Sequence, residues 1–142
     1  MQLSAERRIQ RPASEVAEFF FNSSNNPRWQ KGMRRCEWET PPPIAVGSTY
    51  LQEASFVGRT ISSRFEVTEY TPGQSITIDT IESTFPITVT RLVEPIDSRS
   101  CRVMAEISGG PGGIMKLLAP VTQRLAQRSV DADYDRLVAL LG

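Results

Sequence analysis

The stretch Gly58–Ile78, GRTISSRFEVTEYTPGQSITI, is the most informative about the fold because it contains two β-strand patterns joined by a turn signal. In residues 63–68, SRFEVT, small or apolar side chains alternate with charged or hydroxyl side chains. Pro72-Gly73 is typical of a turn, and the alternation resumes after it in residues 75–78, SITI. Alternation with a period of two indicates a half-buried strand, so this stretch predicts an antiparallel hairpin.

Other segments carry the same alternation or are rich in Thr, Val, Ile, Phe and Tyr, which favours strands. Along the second half of the chain these segments recur about every 10–13 residues with short connections, which predicts antiparallel hairpins and not helical crossovers. The predicted strands cover residues 3–10, 33–39, 48–56, 59–70, 74–83, 85–95 and 98–109.

Helical patterns occur near the start and at the end of the chain. Ser14 is expected to cap a short apolar-faced helix, and a second short helical turn is predicted over residues 24–29. The glycine-rich stretch GGPGG at 109–113 indicates a flexible break. Residues 114–141 predict a long helix that Pro120 either kinks or divides.

Charge balance and residue types exclude several classes of function. Of 142 residues, 16 are Lys or Arg, 16 are Asp or Glu, and none is His. The balanced charge argues against a nucleic-acid partner. The absence of His excludes Ser-His-Asp and Cys-His catalysis and His-based zinc sites, and the glycine motifs of nucleotide-binding folds are missing. We therefore expect no metal and no cofactor, and the pattern identifies no catalytic residue.

We expect a single domain, residues 1–142, in the cytoplasm. The first residues, MQLSAERRIQRP, lack the apolar core of a signal peptide. No run reaches the roughly 18 apolar residues of a membrane-spanning helix, so membrane insertion is not expected. Cys36 and Cys101 are far apart in sequence and form no CxxC motif, which indicates buried free thiols.

The predicted sheet has one apolar face to cover, and only one long helix is present to cover it. A curved sheet wrapped around a single helix leaves a concave space between the two. Side chains either fill this space or leave it as a ligand cavity.

Four motifs that follow one another along the chain carry a family resemblance: IQRPASEVAEFFFN (9–22), NNPRWQKGM (25–33), VGSTY (46–50) and the stretch at 58–78 quoted above. In this order they resemble the START-like superfamily, also called Bet v 1-like or SRPBCC, and within it the polyketide cyclase/dehydrase-like proteins. The resemblance implies an α+β helix-grip fold, with a curved antiparallel sheet of six to seven strands around a long C-terminal helix and two short helices near the N-terminus. It also implies a cavity for a hydrophobic or amphipathic small molecule that is lipid- or polyketide-like. Cyclase-type members often place His in the cavity, and this chain has none.

The inward strand faces, together with the long helix, supply the predicted ligand-binding residues. Alternation places charged side chains in water and their apolar or hydroxyl neighbours inside. Trp29, at the end of the second short helix, is interpreted as part of the cavity wall, with a structural plug as the alternative. The full predicted set is Trp29, Tyr50, Gln52, Phe56, Phe65, Val67, Ile78, Val89, Val103, Met115, Leu118, Thr122 and Leu125.

Arg91 shares the inward parity of Val89, and Glu82 shares that of Ile78. Burying an unpaired Arg is costly, so either a bulge or strand end moves Arg91 to water, or Arg91 meets a ligand carboxylate or Glu82. Under the second alternative, Glu82 and Arg91 form a polar pair in the cavity.

Three functions are compatible with these patterns. The favoured one is binding of a small hydrophobic ligand. The second is an enzyme of cyclase, dehydratase or hydrolase type that uses Tyr50, Glu82 or Arg91 to polarise a carbonyl or move a proton. The third is a structural or partner-binding module with a collapsed cavity. An exposed sheet edge also leaves room for a homodimer.

Overall fold

A computed structural model describes residues 2–56, 58–109 and 119–142. Seven strands, two α-helices and one 3₁₀ helix follow one another along the described chain. They are β1 (Gln2–Ile9), α1 (Ala13–Phe20), the 3₁₀ helix (Ser23–Arg28), β2 (Met33–Trp38), β3 (Thr49–Phe56), β4 (Arg59–Thr71), β5 (Ser75–Glu82), β6 (Ile87–Asp97), β7 (Ser100–Gly109) and α2 (Ala119–Leu141).

The strands form one antiparallel sheet in the order β1-β7-β6-β5-β4-β3-β2. Strands β2 to β7 follow one another as hairpins, and β1 closes the other side by pairing with β7. The hairpin predicted from residues 58–78 is β4 and β5, which turn at Pro72-Gly73, where Gly73 has a φ of 78° that favours glycine. The predicted antiparallel sheet and long C-terminal helix are confirmed.

Helix α1 begins earlier than a cap at Ser14 would place it. Pro12 precedes its first residue, Ala13, and the Pro12 carbonyl accepts hydrogen bonds from the backbone N–H groups of Glu15 and Val16, both at 3.1 Å. Ser14 therefore lies inside the first turn, and the predicted serine cap is wrong.

Helix α2 contacts β1 and presents Ala126, Tyr134, Leu137 and Leu141 to the interior. Earlier on the same helix, Val121 and Leu125 are 63% and 48% exposed. The predicted glycine-rich break beyond Gly109 and the first residues of the predicted helix, 114–118, lie outside the described residues.

The core lies between the inner face of the sheet and the three helices. Its largest fully buried side chains include Trp29, Phe20, Phe65 and Leu137. Cys36 and Cys101 are free and buried, as predicted. Within the described part of the chain, no helix is long and apolar enough to cross a membrane.

Candidate functional site: a cavity between the sheet and helix α2

A cavity of about 210 Å³ lies between the inner face of the sheet and α2. Strands β1 to β4, β6 and β7 supply most of its wall, α2 supplies one side, and the loop before β2 supplies a rim. The apolar lining residues are Leu3, Met33, Ala54, Ile61, Phe65, Phe85, Ile87, Ile107, Ala126 and Val130. The remaining lining residues are Gln30, Gly32, Gln52, Ser55, Ser63, Ser129 and Asp133.

The predicted ligand-binding residues fall into groups. Gln52 and Phe65 line the cavity. Leu125 was placed on the cavity side, but the structure turns it to solvent, because the helical repeat back from Val130 brings Ala126 inward instead. Five of the predicted ligand-binding residues are buried in the core, namely Trp29, Tyr50, Val67, Ile78 and Val103. A sixth, Val89, is half-buried. Met115 and Leu118, and the side chains of Phe56 and Thr122, lie outside the described residues.

The predicted pairing of Glu82 with Arg91 is wrong. A bulge between β4 and β5 lets Phe65 pair with Thr80 and Arg64 with Glu82, so the pairing skips Ile81. This extra residue reverses the inward–outward alternation and turns Glu82 to the outer face. There its carboxylate accepts a hydrogen bond of 2.9 Å from Arg64 Nη1.

Arg91 remains inward and is only 5% exposed, so the predicted escape to water at a strand end is also wrong. Its Nη1 donates to the Phe20 carbonyl at 2.8 Å and to Asn26 Oδ1 at 3.0 Å. Its guanidinium carbon lies 4.9 Å from the centre of the Phe20 ring and 5.2 Å from that of Trp29. No carboxylate in the described part of the chain lies within ion-pair distance of Arg91. Two aromatic faces and two carbonyl oxygens therefore stabilise this buried cation.

Trp29 belongs to this cluster and is 2% exposed. Its ring packs edge-on against Tyr134, with 5.0 Å between ring centres. Its Nε1 is buried and has no acceptor among the described residues. The geometry thus matches the alternative of a structural plug behind the cavity wall more closely than a wall residue.

A line of hydrogen bonds connects Arg91 to the cavity wall. Asn26 accepts from Arg91 through Oδ1 and approaches Cys36 Sγ through Nδ2, at 3.9 Å. Cys36 Sγ in turn donates to Gln52 Oε1 at 3.7 Å. Cys36 and Gln52 are directly paired on β2 and β3, and Gln52 lines the cavity.

Burial keeps the thiol and the two phenol groups near Arg91 in their neutral, protonated forms. Burial raises the pKa of the Cys36 thiol to about 11, against smaller opposing effects of the Asn26 hydrogen bond and the Arg91 charge. Burial also raises the pKa of Tyr50 and that of Tyr134 to about 12. Near neutral pH these groups are therefore protonated, and the charge of Arg91 is not cancelled by them.

Asp133 places a carboxyl group on the helical side of the cavity. Its Oδ1 accepts the Lys31 backbone N–H at 3.1 Å and pairs with Arg136. Arg136 also donates from Nε to the Trp29 carbonyl at 3.1 Å. Burial raises the pKa of Asp133, although the Lys31 N–H and Arg136 oppose this. Asp133 and Arg136 together attach the rim loop to α2.

The rim loop also approaches β3 closely at Gly32. The Gly32 carbonyl accepts the Ser55 N–H at 2.7 Å, and a Cβ at position 32 would lie 2.8 Å from the Ser55 carbonyl oxygen. Only glycine allows this approach without a shift of backbone atoms.

Sequence reasoning did not identify the α2 lining, Ala126, Ser129, Val130 and Asp133. These positions recur at intervals of three and four residues, so the helical repeat projected back from Tyr134 and Leu137 would have found them. Ala126, Ser129 and Asp133 are small or polar, so an apolar repeat does not reveal them.

Comparisons with known proteins agree with this architecture. The sequence model of the family described as "Polyketide cyclase / dehydrase and lipid transport" matches residues 1–142. No curated protein matches the sequence.

Several solved structures share the fold. TTHA0849 from Thermus thermophilus is 17% identical, with a TM-score of 0.83 over 98% of this chain and 95% of that one. The Zhui aromatase/cyclase from Streptomyces sp. R1128 is 10% identical, with a TM-score of 0.76 over 99% and 93%. A START superfamily protein from Mycobacterium smegmatis is 13% identical, with a TM-score of 0.72 over 96% and 98%. The predicted helix-grip fold and START-like resemblance are confirmed, and at these identities the structural likeness concerns the fold alone.

Proposed function

The chain belongs to the polyketide cyclase/dehydrase and lipid transport family, and we propose that it binds a small, mostly apolar molecule in the cavity between the sheet and α2. The observation that carries this proposal is the cavity itself, about 210 Å³ of space with a largely apolar lining. Ligand sites in proteins are mostly apolar, with a few polar groups that fix orientation. A collapsed cavity would leave no such space, which argues against the structural-module alternative.

The volume of the described cavity guides the choice of ligand size. It exceeds the roughly 150 Å³ of an apolar cavity that holds benzene, and it is smaller than the roughly 300–1,000 Å³ of clefts for drug-sized molecules. We therefore propose a ligand of about one or two fused rings, or a short alkyl chain. The cytoplasmic location, the single domain, the homodimer and the lack of a nucleic-acid partner remain predictions from the sequence.

Native mass spectrometry of the protein purified without added ligand tests the proposal, with a denatured sample for comparison. Thermal shift with naphthalene derivatives and medium-chain fatty acids provides a second readout. We expect a retained adduct or a stabilising probe. If no adduct is retained and no probe raises the melting temperature, the proposal is contradicted.

A pair of variants on one helix locates the ligand. Ala126→Phe places a ring in the cavity, where Ala126 is 6% exposed and lines the wall, and should abolish binding. Leu140→Phe adds a ring on α2 at a position that is 39% exposed, and should leave binding unchanged. Equal binding by the two variants would place the ligand elsewhere.

One observation supports a second candidate, an enzyme that transfers protons in the cavity. Asp133 lines the cavity, burial raises the pKa of its carboxyl group, and a carboxyl group placed beside a ligand can transfer protons. Incubation of the protein with a linear poly-β-ketone, followed by product analysis, tests this function. Cyclised or dehydrated product formed by wild type and lost in Asp133→Asn would support it, and equal product from both would exclude Asp133 as the catalytic group.

A further inference from the structure

We infer that Gln52 presents a hydrogen-bond donor to the cavity, and that the molecule bound there carries an accepting oxygen, as in a ketone or carboxylate. This inference rests on the proposed binding function and specifies the chemistry of its ligand. It follows from the direction of the hydrogen bonds that run from Arg91 to the cavity wall.

The direction is set at the buried end. A guanidinium group can only donate hydrogen bonds, so the Asn26 atom that faces Arg91 Nη1 at 3.0 Å is the carbonyl oxygen. The Asn26 amide nitrogen then faces Cys36 Sγ and donates to it. The Gln52 atom that faces the sulfur at 3.7 Å is the carbonyl oxygen, Oε1, so the thiol hydrogen is donated to it.

The last step concerns the Gln52 amide. An amide group has one accepting oxygen and two N–H donors. The oxygen receives the Cys36 thiol hydrogen, so the N–H₂ end is the part of the group that remains for the cavity. Reversing the amide would leave the Cys36 thiol hydrogen without an acceptor in this line.

The buried charge strengthens this orientation. Every hydrogen bond in the line points away from Arg91, so each dipole presents its positive end toward the cavity. Hydrogen bonds aligned in one direction polarise one another, and the effect is larger where the surroundings are poorly polarisable. Asn26 and Cys36 are 2% and 7% exposed, so water does not screen the middle of the line.

Other polar groups on the wall are engaged differently. The Ser63 hydroxyl donates to Ser83 Oγ at 2.7 Å. Asp133, when ionised, offers only acceptors, and it already receives the Lys31 N–H and Arg136. Gln30 and Ser129 also line the cavity, but Gln52 is the wall residue that the line of hydrogen bonds joins to the buried positive charge.

Two compounds of nearly equal shape test the inference: 2-acetylnaphthalene, which has a ketone oxygen, and 2-isopropenylnaphthalene, which has a CH₂ group in its place. We expect wild type to bind the ketone roughly 2- to 12-fold more tightly, the ratio that one net hydrogen bond produces. In Gln52→Leu this preference should disappear. If wild type binds the two compounds equally tightly, the proposed Gln52 donor is overturned, but the proposed binding function is not. If neither compound binds, the Gln52 donor and the proposed binding function are both overturned.

A second pair of variants tests the connection to Arg91. Cys36→Ala interrupts the line and should reduce the preference for the ketone, whereas Cys36→Ser keeps a donor and an acceptor and should retain it. An unchanged preference in Cys36→Ala would overturn the role of the line. Infrared spectra of the bound ketone give a readout that needs no variant: a carbonyl stretching frequency below that in hexane supports the donor, and an unshifted frequency contradicts it.

Discussion

The volume of the cavity predicts that a larger side chain at Ala54 will stabilise the protein. Ala54 lies on the inner face of β3 and lines the cavity. Leu adds three carbon groups, which are worth about 2.4 kcal/mol if all are buried, at about 0.8 kcal/mol each. The restricted rotamers of Leu cost about 0.5–1 kcal/mol, and Ala54 is only half-buried. We therefore expect Ala54→Leu to raise the free energy of unfolding by about 1 kcal/mol.

The same substitution at Ala105 is the matched control. Ala105 also lies on the inner face of the sheet, on β7, but it is 2% exposed and packs in the core beside Ala5 of β1. Among the described residues, Ala105 lines none of the cavities that could accept the added carbons. Overpacking of this kind costs about 1–3 kcal/mol, so Ala105→Leu should lower the free energy of unfolding.

Urea denaturation followed by tryptophan fluorescence measures both changes, provided that the slope of free energy against urea is the same in all three proteins. Changes of opposite sign in the free energy of unfolding of the two variants would support an available space beside Ala54. A loss of stability in Ala54→Leu similar to that in Ala105→Leu would refute the cavity and the ligand proposal built on it. Ala54→Leu should also weaken ligand binding, because it occupies part of the same space.

Three further outcomes are expected. Gly32→Ala should lower the free energy of unfolding by about 1–3 kcal/mol, because its Cβ would meet the Ser55 carbonyl oxygen at 2.8 Å; an unchanged urea midpoint would contradict this. Because burial raises the pKa of Asp133, its protonated form favours folding. This contribution to the free energy of unfolding is lost as the pH rises from the ordinary pKa of 3.8 through the raised pKa of the folded protein. Asp133→Asn should remove that loss. Equal pH dependence of stability in the two proteins would contradict this assignment. Cys36, with a pKa of about 11, and Cys101, which is 0% exposed, should react with a thiol reagent at pH 8 only after denaturation, and fast labelling of the native protein would count against their burial.

Local patterns predicted the strands well because inward and outward side chains alternate wherever one face of a sheet is buried. The β4–β5 hairpin followed from residues 58–78 and the Pro72-Gly73 turn. The same patterns identified Gln52 and Phe65 as inward residues of the cavity region. These predictions needed only a regular period of two.

Predictions that required an unbroken period over a longer distance were wrong. The bulge beside Ile81 reversed the face of Glu82, and no residue type in β5 announced it. On α2 the inward stripe passes through Ala126 and not through Leu125. A helix turns to match its neighbours, so its orientation depends on contacts with β1 that are remote in sequence.

The antiparallel hairpins and the family resemblance follow from the order of residues in the chain, as do the residue types available for chemistry. The sequence also requires any chemistry to proceed without His. Tertiary structure alone decided that Arg91 is buried between Phe20 and Trp29, and that its hydrogen bonds lead through Asn26 and Cys36 toward the cavity. The physical reason is that burial and hydrogen-bond direction depend on partners brought together from α1, the 3₁₀ helix and three strands. The spacing of these residues in the sequence does not predict those contacts.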